Sequence, residues 1–144
     1  MSAPHPEGEG AIAAMQQALS KAGVVAKDID YINLHGTATK KNDEMEAIAV
    51  SAIFPNKPFA SSTKGYVGHT LGAAGATELA FCYLALQHKK LPVHLWDAVE
   101  DPALPQLNWV TTENHQVDSV SLCLSNSFAF GGNNVSLVIG LSNE

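Results

Sequence analysis

The chain is poor in charge. Asp, Glu, Lys and Arg together make 15% of its 144 residues, only eight are basic, and the net charge at pH 7 is -6. The basic residues are scattered, so the stripe that tracks a nucleic-acid backbone is missing. The same acidic balance disfavours an anionic membrane surface. Cysteine is scarce too. Cys82 and Cys123 each sit in an apolar run, with no Cys-x-x-Cys pair, which reads as buried reduced thiols rather than a zinc or redox site. No apolar stretch is long enough to span a membrane. The first ten residues lack the basic and apolar regions of a signal peptide. A soluble, cytoplasmic setting with no nucleic-acid and no membrane partner is expected. The six histidines show no His-x-His or His-x-x-x-His spacing, and no Gly-x-Ser-x-Gly elbow occurs. Neither a metal site nor a serine hydrolase is expected.

What is present is a core. Hydrophobic residues make up 46% of the chain, enough for one compact domain. Residues 1–10, with their Pro and Gly, read as an exposed lead-in. From Ala11 the pattern is helical, with Ile12, Met15, Ala18 and Leu19 on one face and Gly23 as C-cap. Residues 31–34 form a short strand, broken by His35-Gly36-Thr37. Residues 42–54 are a second helix, with Met45, Ile48, Ala49, Ala52 and Ile53 as its apolar side and Pro55 and Pro58 ending it. Residues 59–62 read as a strand and 65–70 as a loop. Residues 71–88 are a long helix, apolar nearly all round as far as Tyr83, which predicts full burial. Residues 91–95 read as a short strand and 101–105 as a loop. Residues 119–125 and 135–141 alternate as an antiparallel hairpin. The expected fold class is α/β, a mixed β-sheet layered with helices.

Two strand-end loops carry the candidate chemistry. In open α/β sheets ligands bind beyond the carboxyl ends of strands, and His35-Gly36-Thr37-Ala38-Thr39 lies there. Gly36 permits a sharp turn, and Thr37 and Thr39 offer hydroxyls. The second loop, Ser62 through Thr70, adds Lys64 and His69. Taken singly, a loop histidine is as readily structural as functional. Two neutral imidazoles donating N–H bonds to one oxygen, however, would stabilise an enolate or thioester oxyanion. Asp43 and Glu46, on the first turns of the second helix, would either pair with Lys64 or satisfy the helix dipole. Residues 126–134 place Gly131 and Gly132 after Phe128-Ala129-Phe130, more than an ordinary turn needs, and a gating loop is favoured.

These segments resemble a family. His35-Gly36-Thr37-Ala38-Thr39 followed by Asn42-Asp43 is similar to the HGTxT…D motif of β-ketoacyl-acyl-carrier-protein synthases. Ser62-Thr63-Lys64 through Gly68-His69-Thr70-Leu71-Gly72-Ala73-Ala74-Gly75 resembles their STKxxxGHxxGAAG motif. Residues 126–134 resemble NSFGFGGxN. The three motifs stand in the family's order, and the resemblance covers essentially the whole chain.

The resemblance implies a thiolase-like half, the C-terminal domain of a synthase over residues 1–144, with the nucleophile-bearing N-terminal half absent. It implies a decarboxylative Claisen condensation of an acyl thioester with malonyl-acyl carrier protein, in fatty acid or polyketide-type synthesis. His35 and His69 would promote decarboxylation and stabilise the enolate, with Lys64 organising the site, supported by Asp43 and Glu46. Thr37 and Thr39 would bind the phosphopantetheine arm. Phe128 and Phe130 would gate the acyl channel, and the Phe130-Gly131-Gly132 loop would contribute to the oxyanion hole. No cofactor is implied beyond the phosphopantetheine of acyl carrier protein, which carries the substrates. The implied partners are that carrier and the missing half, in a homodimer or heterodimer.

Two departures follow. Cys82 falls mid-helix and Cys123 mid-strand, where neither is activated as a nucleophile. Ala129 stands where the family usually has Gly, which would stiffen the gating loop. The alternative role is that of a non-catalytic partner resembling a chain-length factor, for which both histidines would be superfluous. A thiolase would need a cysteine in the C-terminal Gly-Gly loop, and Phe130-Gly131-Gly132 has none.

Overall fold

The computed structural model describes residues 7–142. Residues 1–6 of the expected lead-in lie outside that range. Gly8, inside it, is buried with φ +70, and a Cβ there would come within 3.0 Å of the Ala49 Cβ. The first helix, α1 (Glu9–Ala22), therefore starts earlier than expected and buries Ala11, Met15 and Leu19. Gly23 ends it in the left-handed region, its N–H reaching the Leu19 and Ser20 carbonyls.

Strand β1 (Tyr31–Asn33) follows, then α2 (Lys40–Ile53) and β2 (Phe59–Ser61). A four-residue turn of helix, α3 (Lys64–Val67), occupies part of the expected loop. The long helix α4 (Ala74–His88) begins three residues after Leu71, behind a 3-10 turn. Strands β3 (Asn108–Trp109), β4 (Leu122–Phe128) and β5 (Asn134–Gly140) complete one sheet in the order β3-β2-β1-β4-β5. The β3, β2, β1 and β4 ladders are parallel, and β4–β5 is the expected antiparallel hairpin, pairing Phe128 with Asn134.

Two expected elements differ. Residues 91–95 form no strand: Pro92 cannot donate to a ladder, and beside them lies an isolated Lys90–Gln116 bridge. The edge strand is β3 instead, two residues long and set by its register to Phe59 and Ala60. Residues 119–121 lie ahead of β4, where the Asp30 carboxylate accepts the Ser121 and Leu122 amides. The Asn126-Ser127-Phe128 part of the third motif is therefore the end of a strand, not a loop.

Strand alternation sorts the core into two layers. Ile32 and Leu124 point toward α1 and α2, joining Met15, Met45, Val50 and Phe54. Tyr31 and Cys123 point the other way, onto Cys82, Ala85 and Leu86 of α4. Full burial of α4 is not observed. Its composition is apolar on all sides, but only one face is covered, leaving Tyr83 44% and Leu84 47% exposed. Val135 and Leu137 on the neighbouring edge strand β5 are exposed as well.

Candidate active site

Because β1, β2 and β4 run parallel, their carboxyl ends meet on one edge of the sheet. β1 hands on Leu34 and His35, β2 hands on Ser62 through Lys64, and β4 ends at Phe128. The ring centroids of His35 and His69 are 5.3 Å apart, edge to face. Phe128 lies 5.8 Å from His35 on another side, and Lys64 Nζ stands 3.4 Å from His35 Nδ1. The two histidines and the lysine read from separate motifs are thus one cluster.

The hydrogen bonds set the tautomer of each ring. The Lys64 ammonium can only donate, so His35 Nδ1 is the acceptor and Nε2 carries the proton. His69 Nδ1 accepts the Leu71 amide at 3.3 Å, which again leaves the proton on Nε2. His35 is 6% exposed, and its pKa is lowered to about 4 by burial first and then by its electrostatic interaction with Lys64 and His69. It stays neutral near pH 7 and offers an N–H without being an acid.

The backbone that carries His35 is held by Glu46. This carboxylate, fully buried on α2, accepts the His35 amide and the Gly36 amide at 2.8 Å each. Asn126 Nδ2 donates to it at 3.2 Å and is itself fixed by the Ser136 hydroxyl. Burial raises the Glu46 pKa to about 7 against the pull of these donors. Gly36 sits at φ +40, where a Cβ would fall 2.5 Å from the Ser62 Cβ, so only glycine fits between the two loops. Ala38, at φ +58, holds the next left-handed position.

Neither Asp43 nor Glu46 pairs with Lys64. Its partner is Glu78 of α4, in a buried ion pair. Burial raises the Glu78 carboxyl, the Lys64 contact opposes that shift, and Glu78 Oε2 is buried without a protein partner. Glu78 was missed in the sequence, although it is the one acidic residue in a mostly apolar helix. Asp43 accepts from Asn42 near the cavity rim, and burial raises its pKa.

A cavity of about 660 Å³ opens in front of this cluster, with Thr37, Asp43, Lys64 and His69 in its wall. The Thr37 and Thr39 hydroxyls are 2.9 Å apart at its edge. Phe128 is buried against His35, whereas Phe130 is 75% exposed. Gly131 and Gly132 hold positive φ, and Ala129, at φ -122, sits in extended backbone that any residue adopts. The two thiols lie apart from the site. Both are free and buried, and the neighbouring Cys82 thiol together with burial pushes Cys123 up, away from ionisation.

Comparison with known proteins follows the same lines. The profile of the beta-ketoacyl synthase C-terminal domain matches residues 1–96. The 3-oxoacyl-[acyl-carrier-protein] synthase 2 of Rhizobium meliloti is 41% identical over 142 residues, covering 96% of this chain and 33% of that protein. The mitochondrial 3-oxoacyl-[acyl-carrier-protein] synthase of Arabidopsis thaliana is 39% identical, covering 94% of this chain and 30% of its own length. A chain of the ketosynthase–chain length factor complex from Xenorhabdus doucetiae superposes with a TM-score of 0.89 at 51% identity, over 99% of this chain and 36% of that one. A beta-ketoacyl synthase from Burkholderia phymatum gives 0.90 at 35% identity, over 99% and 35%. The chain spans about a third of the length of these relatives. Fold and site together define an α/β protein of the thiolase-like class. Within that class, the chain belongs to the beta-ketoacyl synthase family and corresponds to its C-terminal domain.

Proposed function

We propose that the chain forms the two-histidine side of a decarboxylative Claisen condensation site. The observation that carries this reading is the His35–His69 pair, ring centroids 5.3 Å apart with Nδ1 of each ring engaged, beside a cavity whose wall includes His69 and Lys64. A malonyl thioester presented there loses carbon dioxide, and the electron pair released passes through the α-carbon to the thioester oxygen. Two neutral N–H groups stabilise that enolate oxygen without protonating the carbon. The α-carbon then attacks an acyl thioester on a cysteine, forming the new carbon–carbon bond and expelling thiolate. The product is a 3-oxoacyl thioester on the carrier. Lys64, balanced by Glu78, biases His35 toward the working tautomer.

The cysteine comes from a second unit. Cys82 and Cys123 are enclosed in the α4 layer, away from the cavity. A helix N-terminus or a basic neighbour is what activates a thiol, and neither has one. The bare apolar faces of α4 and β5 give that unit a surface to pack on. Acyl carrier protein is the substrate carrier, with Thr37 and Thr39 receiving its phosphopantetheine arm at the cavity edge. Phe128 backs His35, and Phe130 with Gly131 and Gly132 forms the outer, movable part of the acyl gate.

The test is assay of purified chain with malonyl-acyl carrier protein and an acyl donor, alone and with a cysteine-bearing condensing partner. Carbon–carbon bond formation should require the partner, and His35→Gln or His69→Gln should abolish it. Turnover by the chain alone would contradict the reading.

A further inference from the structure

His94 is unaccounted for by the site as described, yet it touches the site's backbone. It follows Pro92 and Val93 on the segment that crosses from α4 toward β3. Its amide donates to the Val110 carbonyl at 2.8 Å, and the Val110 amide donates to Ala60 of β2 at 3.1 Å. Its ring stacks on Trp109, with centroids 4.2 Å apart and planes 13° from parallel. Trp96 packs against both at 5.7 and 5.5 Å. The ring is therefore locked in orientation before any polar contact is considered.

That orientation aims Nδ1 at the carboxyl end of β2, where it accepts the Ser62 amide at 3.1 Å. Ser62 in turn donates its hydroxyl to the Gly36 carbonyl at 2.8 Å. Gly36, next to His35, is thus gripped at its carbonyl by Ser62 and at its N–H by Glu46. The Lys64 amide approaches the same Ser62 hydroxyl at 3.4 Å. One serine therefore joins the two loops that bring His35 and Lys64 together.

We propose that His94 is a positioning residue for the condensation site: a neutral acceptor wedged in a tryptophan stack, it fixes Ser62 and, through Ser62, the turn that carries His35. A packing role alone would be met by phenylalanine, which fills the same stack. Phenylalanine would leave the Ser62 amide, in a residue only 7% exposed, without its acceptor. The acceptor role needs a deprotonated Nδ1, and burial lowers the His94 pKa to about 4. The ionisable groups sharing its cavity are Asp43, Glu46, Lys64, His69, Asp97, Glu100 and Asp101.

The proposal rests on the reading of His35 as a working donor, but its test reads no condensation, so the two fail separately. The probe is the 144-residue chain followed by NMR. Long-range proton–nitrogen spectra of the wild type should place the His94 proton on Nε2. His94→Phe keeps the stack and removes the acceptor. His94→Asn keeps an acceptor near the Nδ1 position and loses the stack. The Phe variant should exchange its Ser62 amide about tenfold faster and move the His35 titration midpoint upward toward 6.5. The Asn variant should recover most of both. A wild-type His94 protonated on Nδ1 would overturn the proposal. So would a folded Phe variant with unchanged Ser62 exchange and His35 titration. Should the Phe variant not fold, a folded Asn variant that loses Ser62 protection overturns it equally.

Discussion

At His35, ring and backbone are held by different partners, and the two can be broken separately. Glu46 meets only donors: two backbone amides and the Asn126 amide. Glu46→Gln turns one oxygen into an NH₂ group facing a donor, so it should cost about 1–3 kcal/mol in chemical denaturation. It should also slow any condensation that uses His35. The ring gives a second test. Its folded pKa of about 4 lies below the unfolded value of 6.5. The stability tied to neutral His35 is therefore complete above pH 6.5 and is lost as pH falls toward 4. Wild type should lose on the order of 3 kcal/mol relative to His35→Gln across that window, read from paired urea titrations. A pH-independent difference would mean that His35 is not shielded from protonation.

At the scale of elements, the parallel β2-β1-β4 arrangement converts three separate motifs into one site. The motifs were legible in the sequence because each pairs a strand end with Gly and a polar run, as at His35-Gly36-Thr37. The hairpin was legible from its alternation. Lys64's partner was not. Asp43 and Glu46 are near in sequence, but Glu46 turns toward the His35 backbone, and the answering carboxylate comes from α4. β3 was hidden because two residues carry no periodicity, and only the register to β2 creates it. Two predictions belong here. Glu78→Ala leaves Lys64 buried and unpaired, and should cost about 3–5 kcal/mol by urea denaturation. Gly36→Ala forces a Cβ to within 2.5 Å of the Ser62 Cβ, so it should separate the loops and lower the thermal midpoint by several degrees.

The molecule as a whole is asymmetric. One side of the sheet is sealed by α1 and α2, while α4 on the other covers the core and shows a second apolar face to water. The sequence announced that helix as buried on all sides. That expectation was drawn from composition, and composition cannot say whether the cover comes from the same chain. An apolar dye should bind this face, and Leu84→Lys with Leu137→Lys should weaken the binding while leaving the thermal midpoint near that of wild type. Unchanged dye binding would place the exposed apolar surface elsewhere.

On the proposed reading, this chain contributes the carbanion-forming side of a condensation whose nucleophile is neither Cys82 nor Cys123. The direct measurement is formation of 3-oxoacyl product from acyl donor and malonyl-acyl carrier protein. It should be made with the chain alone, with a cysteine-bearing condensing half, and with that half plus the His35→Gln, His69→Gln double variant. Product should appear only in the second case. Product from the chain alone, or from the double variant with its partner, would contradict the account.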